Sequence, residues 1–304
     1  MIMYKDIRTV VVGSINADML FHTQRVPECG ENLLGTYYSS ANGGKGANQA
    51  VALARLGAQT KMIGKVADDE NGRRLIENLK KNNVDASGVY SDGTQTGLAA
   101  IIIDGEGRNR IIVYEGANSE LTSENAVNKI DSNTDILLIQ FEIPQQTVID
   151  SVKKAIDNKI MSVIDCGPAK AFELEKMQGA TIITPNESET YALTGIYPEN
   201  KDNILKASEI LKSRSLAEYV VLKLGGNGCS VFDGKELTLL SPYPAKVLDT
   251  TAAGDSFTAA MALEFYRTGD ILKACDMGNK AGSIAVSRVG AEGSMPTAEE
   301  LLSI

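Results

Sequence analysis

Asp249-Thr250-Thr251-Ala252-Ala253-Gly254-Asp255 carries a carboxylate at each end and only small residues between. It runs directly into Ser256-Phe257-Thr258-Ala259-Ala260-Met261-Ala262-Leu263-Glu264-Phe265, an apolar run of helical length. Small residues ahead of a helix let a ligand approach bare backbone N–H groups, where the helix dipole favours an anion. A carboxylate at that point admits two readings. Asp255 is a helix N-cap, a role for which Asp is favoured, or it has a chemical role beside the anion. The heptapeptide alone leaves both open.

The rest of the chain alternates strand and helix signals around this stretch. Thr9-Val10-Val11-Val12-Gly13 reads as a buried β-branched strand, followed by polar Ser14, Asn16 and Asp18. The spacing after Gly13 is not that of a dinucleotide fingerprint, which excludes the simplest nicotinamide-dependent reading. Thr36–Ser40 is strand-like. Asn42-Gly43-Gly44-Lys45-Gly46-Ala47-Asn48-Gln49 then precedes an alanine-rich helix that Gly57 stops. A tight turn before a core helix needs no Lys45 or Asn48, so this loop reads as a ligand loop. Further strands are predicted at 61–66, 135–140, 161–165, 180–184 and 219–224. Helices are predicted at 69–82, 145–158, 187–194, 202–213, 255–268 and 271–287. This alternation predicts an α/β fold with a parallel sheet and helices on both faces. The hairpin 98–114, turning at Asp104-Gly105-Glu106-Gly107, interrupts the alternation and is expected to project from the main sheet. A second hairpin surrounds Asp233-Gly234.

Composition narrows the class. The 304 residues are 43% hydrophobic and 23% charged, as in soluble globular proteins. The net charge of −9 argues against nucleic-acid or anionic-membrane partners. No apolar run approaches a membrane span, and Met1–Arg8 leads straight into a strand without a signal-peptide core. Cys29, Cys166, Cys229 and Cys275 form no C-x-x-C pair and read as reduced, buried thiols of a cytoplasmic protein. His22 is the sole histidine, which excludes a histidine triad or histidine-rich metal site.

Several predicted strands end in polar residues: Asn16 and Asp18, Gln140 and Glu142, Asn186 to Glu189, Lys223 to Gly228, and Asp249 to Asp255. Singly, Glu142 reads as a surface carboxylate, Asn186 as an N-cap and Gly225–Gly228 as a hairpin turn. Their shared position at strand carboxyl ends favours one convergent site.

At this point the chain resembles the ribokinase-like (PfkB) carbohydrate kinases over essentially its whole length. The resemblance rests on Gly43-Gly44-Lys45-Gly46-Ala47-Asn48-Gln49-Ala50, on Asn186-x-x-Glu189 and on Asp249 to Asp255, in this order. Asn16-Ala17-Asp18 and Gln140-Phe141-Glu142 are similar to the ribose-phosphorylating branch more than to fructokinases or adenosine kinases. The resemblance implies one domain, 1–304, as a three-layer α/β/α sandwich with a small β lid at about 16–42 and 95–114. It implies ATP-dependent phosphorylation of the 5-hydroxyl of D-ribose in a homodimer joined through the lid. Asn16, Asp18, Gly44, Lys45, Gly46, Ala47, Asn48 and Glu142 would hold the sugar. Asp255 would be the general base, with a backbone anion hole at Ala252, Ala253 and Gly254. Asn186 and Glu189 would organise Mg²⁺ and phosphates, while Lys223, Leu224, Gly225, Gly226, Asn227, Gly228 and Asn279 would border the nucleotide. A monovalent cation, K⁺, would sit at Asp249, Thr251, Ala285, Arg288, Gly290 and Ser294. The departures are Ala252 where many relatives carry glycine, Thr258-Ala259 for Asn-Gly, and Cys29-Gly30-Glu31-Asn32 in the lid. A related kinase for deoxyribose or fructose is the alternative within the class, and a non-catalytic sugar sensor the alternative outside it.

Overall fold

The structure is a computed structural model that describes residues 4–303. Met1–Met3, part of the predicted approach to the first strand, lie outside the described residues. A turn at residues 4–6 leads into β1 (Arg8–Val12). Next come β2 (Asn16–His22), β3 (Tyr37–Gly43), α1 (Lys45–Arg55), β4 (Gln59–Ala67), α2 (Glu70–Lys81) and β5 (Asp85–Gly93). They are followed by β6 (Gly97–Ile103), β7 (Asn109–Tyr114), α3 (Ser123–Val127), β8 (Ile136–Gln140), α4 (Gln145–Asp157) and β9 (Met161–Asp165). β10 (Ile182–Thr184), α5 (Glu187–Thr194), α6 (Lys201–Ser215), β11 (Tyr219–Lys223), β12 (Cys229–Phe232) and β13 (Leu237–Leu240) continue the chain. It closes with α7 (Ala253–Thr268), α8 (Ile271–Val286) and α9 (Ala298–Leu302).

Nine strands form the large sheet, in the order β13-β12-β11-β10-β9-β8-β1-β4-β5. Pairing is parallel from β11 to β5, and only the β12 and β13 edge is antiparallel. Successive strand residues face opposite sides. Val11, Leu138, Val163 and Val221 pack with α1, α7 and α8, while Val10, Val12, Leu137, Ile139 and Leu222 pack with α4 and α6. Two cores on two faces give the three layers expected of near-continuous apolar strands. Each large buried aliphatic side chain contributes about 1.5–3 kcal/mol, so these cores dominate the stability.

Four strands, in the order β3-β2-β6-β7, form a separate small sheet. β2 pairs parallel with β6 and antiparallel with β3, and β6 pairs antiparallel with β7. The predicted hairpin 98–114 thus does leave the main sheet. Three points differ from the sequence reading. Asn16 and Asp18 lie on β2 of the small sheet rather than in a loop, because β2 bonds to neighbours on both sides. Asp255 is not the N-cap of its helix: α7 begins at Ala253, and the cap position falls to Ala252 in the left-handed region (φ 58°) with no side-chain bond. Cys166, Cys229 and Cys275 are buried free thiols, but Cys29 is exposed in the segment between β2 and β3.

Candidate active site

Gly46 brings the first element of the site into place. A methyl group there would lie 2.7 Å from the Gly13 carbonyl carbon and the Ser14 nitrogen, so only glycine lets α1 start against the end of β1. That contact puts Lys45, Asn48 and Gln49 in front of α7. Asp255, 5% exposed, accepts hydrogen bonds from Asn48 Nδ2 and Gln49 Nε2, both at 3.1 Å. Lys45 Nζ stands 4.0 Å from the same carboxylate. Ala253 donates a long bond to the Thr250 carbonyl (3.3 Å), and Ser256 donates to Ala252. Between them, the N–H groups of Gly254 and Asp255 have no intrahelical acceptor, as at any helix start. The site therefore joins a carboxylate, an ammonium group and open backbone donors.

Behind Asp255 lies a residue that sequence reasoning passed over. Asp165, the last residue of β9, is fully buried. It accepts from Gln49 Nε2 (2.8 Å) and Gly167 N (3.2 Å) and pairs with Lys223 at 3.1 Å and Lys45 at 3.8 Å. Burial opposes its charge, but the two ammonium groups outweigh burial and hold its carboxyl below the usual range. Burial likewise opposes the Lys45 charge; Asp165, Asp255, Glu189 and Glu142 outweigh it and keep the amine protonated.

On the other side of Lys45, Glu142 accepts from the Lys45 backbone N–H (3.1 Å) and from the Ser14 hydroxyl. Asn118, unmarked in the sequence, bonds the Ile15 backbone and donates to Asn16 Oδ1 at 2.7 Å. That donation leaves the Asn16 amide N–H₂ for a ligand. Burial, then the Glu142 charge, pushes the Asp18 carboxyl up to about 7, against the pull of Arg74. Asn16 and Glu142 line a cavity of about 590 Å³. Asp18, Gly44, Lys45, Gly46, Ala47 and Asn48 do not line it; the Asn48 and Ala47 amides bond the Gly44 and Ser14 carbonyls beside it.

Asp255 itself lines a cleft of about 770 Å³, with Lys45, Asn186, Lys223, Gly225, Gly226, Gly228, Ala252, Ala253, Gly254 and Asn279. Leu224 is buried in the core, Asn227 is exposed, and neither lines the cleft. Asn186 caps α5 in a reciprocal pair with Glu189: its N–H donates to Glu189 Oε2 (2.7 Å), and its Oδ1 accepts from the Glu189 N–H (2.9 Å). Glu189 is almost wholly buried, and burial raises its pKa.

Asp249 does not line this cleft. Its oxygens accept from Thr251 N (2.9 Å), Thr251 Oγ1 (2.6 Å) and Gly290 N (2.8 Å). Leu248 N donates to the Val286 carbonyl at 2.7 Å, tying segment 248–251 to the end of α8. The Ala285 carbonyl accepts from Arg288 N, the Arg288 guanidinium pairs with Glu300 (2.6 Å), and Ser294 bonds the Ala291 carbonyl. Direct bonds thus join Asp249, Thr251 and Gly290 in one group and Ala285 and Arg288 in another, while Ser294 bonds to neither.

A buried carboxylate, fixed ammonium groups and open helix N–H groups at one point of an α/β/α fold are the parts that phosphoryl transfer needs. Residues 6–298 match the pfkB family carbohydrate kinase model. The chain is 38% identical over 302 residues to the ribokinase of Bacillus subtilis, covering 96% of this chain and 98% of that one. Its fold is similar to Arabidopsis thaliana ribokinase complexed with ribose and ATP, with a TM-score of 0.87, 31% identity and 97% of each chain covered. It is similar also to a ribokinase from Thermotoga maritima, with a TM-score of 0.86, 32% identity and 98% of each chain covered. The chain belongs to the pfkB family of carbohydrate kinases.

Proposed function

We propose that this protein transfers the γ-phosphoryl group of ATP to the 5-hydroxyl of D-ribose, yielding D-ribose 5-phosphate and ADP. The observation that carries the reading is that Asp255 lines the cleft together with Lys45, Lys223 and Asn279, while Asn48 and Gln49 of the glycine-lysine loop bond its carboxylate. Asp255 takes the proton of the sugar hydroxyl as its oxygen attacks the γ-phosphorus and the bond to the ADP oxygen breaks. The backbone at Ala252 to Gly254 stabilises charge on the transferring group, aided by Lys45. Asn16, Asp18, Asn48 and Glu142 pair the sugar hydroxyls, so a sugar lacking one leaves a buried polar group unpaired.

Magnesium would neutralise phosphate charge. Asn186 and Glu189 already bond to each other, which fits an ion held chiefly by phosphates and water. A monovalent cation beside Asp249 fits the donor chemistry, because Asp249 stays ionised: burial is outweighed by bonds from Thr251 and Gly290. In this reading the small sheet is a lid over the sugar, two copies pair through it, and the protein is cytoplasmic.

A panel of sugars with ATP, scored for ADP release, tests the function. D-ribose is expected to be the preferred acceptor, and preference for deoxyribose or fructose would overturn that assignment. Binding of ribose without any turnover would leave a sensor instead. Turnover is expected to slow when Li⁺ or Na⁺ replaces K⁺; equal rates in all three would remove the cation site.

A further inference from the structure

The Asp165 carboxylate touches both ammonium groups of the site, yet it lines neither the cavity of Asn16 nor the cleft of Asp255. Its Oδ1 takes Lys223, and its Oδ2 takes Gln49 and Lys45. The same Gln49 Nε2 also reaches Asp255, while Gln49 Oε1 accepts from Gln140 Nε2 at 2.6 Å and so fixes which end of the amide is the donor. A methyl group on Gly254 would lie 3.8 Å from Lys223 Nζ, so this second ammonium group also stands at the start of α7. Gly167 seals the cluster: a methyl group there would meet Lys45 Cε at 2.3 Å and Glu189 Oε1 at 2.6 Å.

We propose that Asp165 is a positioning residue for phosphoryl transfer: it pins the Lys45 and Lys223 ammonium groups at the start of α7 and, through Gln49, orients the Asp255 carboxylate. The proposal rests on the kinase reading above. Lysine is a compact charge on a flexible four-carbon stem, and ordering it costs rotamer entropy. A fixed carboxylate that already holds both stems lets the cations meet transition-state charge without reorganising. Without that carboxylate, two like charges share one region and drive each other apart. The groups facing the cluster are Lys45 from α1, Asp255 from α7, Glu189 from α5, Lys223 from β11, Glu142 after β8 and the Cys166 thiol, which burial keeps protonated.

Asp165→Asn preserves shape and removes the charge. Turnover of the folded variant is expected to fall by about 10²-fold with the sugar KM little changed, a scale typical of losing one preorganised electrostatic contact. The alkaline limb of its pH profile is expected to move to lower pH as Lys45 loses one of its stabilising charges. A purely structural role would lower the melting temperature and the active fraction but leave the profile of active molecules in place. Wild-type turnover and an unshifted profile in the variant would overturn the proposal while leaving the function intact.

A wild type that phosphorylates no sugar would overturn the function, and the positioning geometry is then read without turnover. Acetylation of Lys45 by acetic anhydride at about pH 9, followed by mass spectrometry, is expected to run severalfold faster in Asp165→Asn, because an ammonium group that has lost a stabilising negative charge gives up its proton more readily. Equal rates would overturn the pinning. If Asp165→Asn does not fold, Lys223→Gln replaces it: Lys45, now the sole ammonium on Asp165, is expected to label more slowly than in the wild type. An unchanged Lys45 rate would overturn the shared anchor.

Discussion

Asp255 and Asp165 are both buried carboxylates that accept from the amide of Gln49, and only one of them was legible in the sequence. Asp255 stands in a run of small residues before a helix, where a carboxylate is unexpected. Asp165 ends an ordinary apolar strand, and nothing local marks it; an acidic residue closing a fully buried parallel strand was the one available signal. Asn118 escaped for the same reason, since its partners Ile15 and Asn16 are 103 and 102 residues away. Asp255→Asn is expected to keep sugar affinity and lose about 10²–10⁴ in kcat, the usual worth of a general base. Calorimetry beside steady-state kinetics reads both, and near-normal turnover would remove the base. Asp18 gives a pH dependence. Its carboxyl titrates at about 7 folded against 3.8 unfolded, so the folded state binds the proton more tightly. Its contribution to stability is full below the lower value and is lost as pH rises through the upper one. Thermal melts at acidic and alkaline pH are expected to show Asp18→Asn gaining on the wild type as pH rises, and a pH-independent gap would contradict this.

At the scale of elements, the long periodic segments and their stops were readable. Helix α1 ends before Gly57, α6 covers the predicted 202–213, and the Asp233-Gly234 turn joins β12 to β13 as expected. β5 was missed because Asp85–Gly93 is polar with buried Ala86 and Gly88 between; its strand state comes from parallel pairing with β4. The five-residue helices α3 and α9 are too short to show a period. Asn186 and Gly225–Gly228 fulfil their plain readings, a cap and a hairpin turn, while Asn186, Gly225, Gly226 and Gly228 also line the cleft. At the junction of β1 and α1, backbone meets backbone at Gly46 with no room for a side chain. Gly46→Ala is expected to cost about 1–3 kcal/mol by overpacking and to raise the sugar KM, because Lys45 and Asn48 ride on the displaced helix. Urea unfolding with kinetics checks both, and unchanged stability would show that β1 yields.

The whole molecule places its exposed apolar residues unevenly. Tyr37, Tyr38, Ile111, Ile112, Val113 and Tyr114 all lie on β3 and β7, the edges of the small sheet, with Tyr37 64% and Ile112 69% exposed. Edge strands with such side chains are templates for association. Light scattering is expected to give a dimer for the wild type and a monomer for Ile112→Asp. A monomeric wild type, or a dimer unaffected by the substitution, would place the contact elsewhere.

By itself, the sequence determined the α/β alternation, the projecting hairpin, the glycine-lysine loop and the carboxylate of Asp255 at the start of the last long helix pair. Those features are local: periodicity, turn chemistry and residue types at short spacing carry them. Tertiary structure alone decided that Asp165 sits between two lysines, that Asn118 orients Asn16, that Asp255 lies inside its helix rather than capping it, and that β5 is a strand. Each of these depends on groups distant in the chain or on a neighbouring strand's hydrogen bonds. The charge state of a buried carboxylate is likewise set by what the fold places around it. That is why the catalytic candidates could be read from the sequence, and the groups that hold them could not.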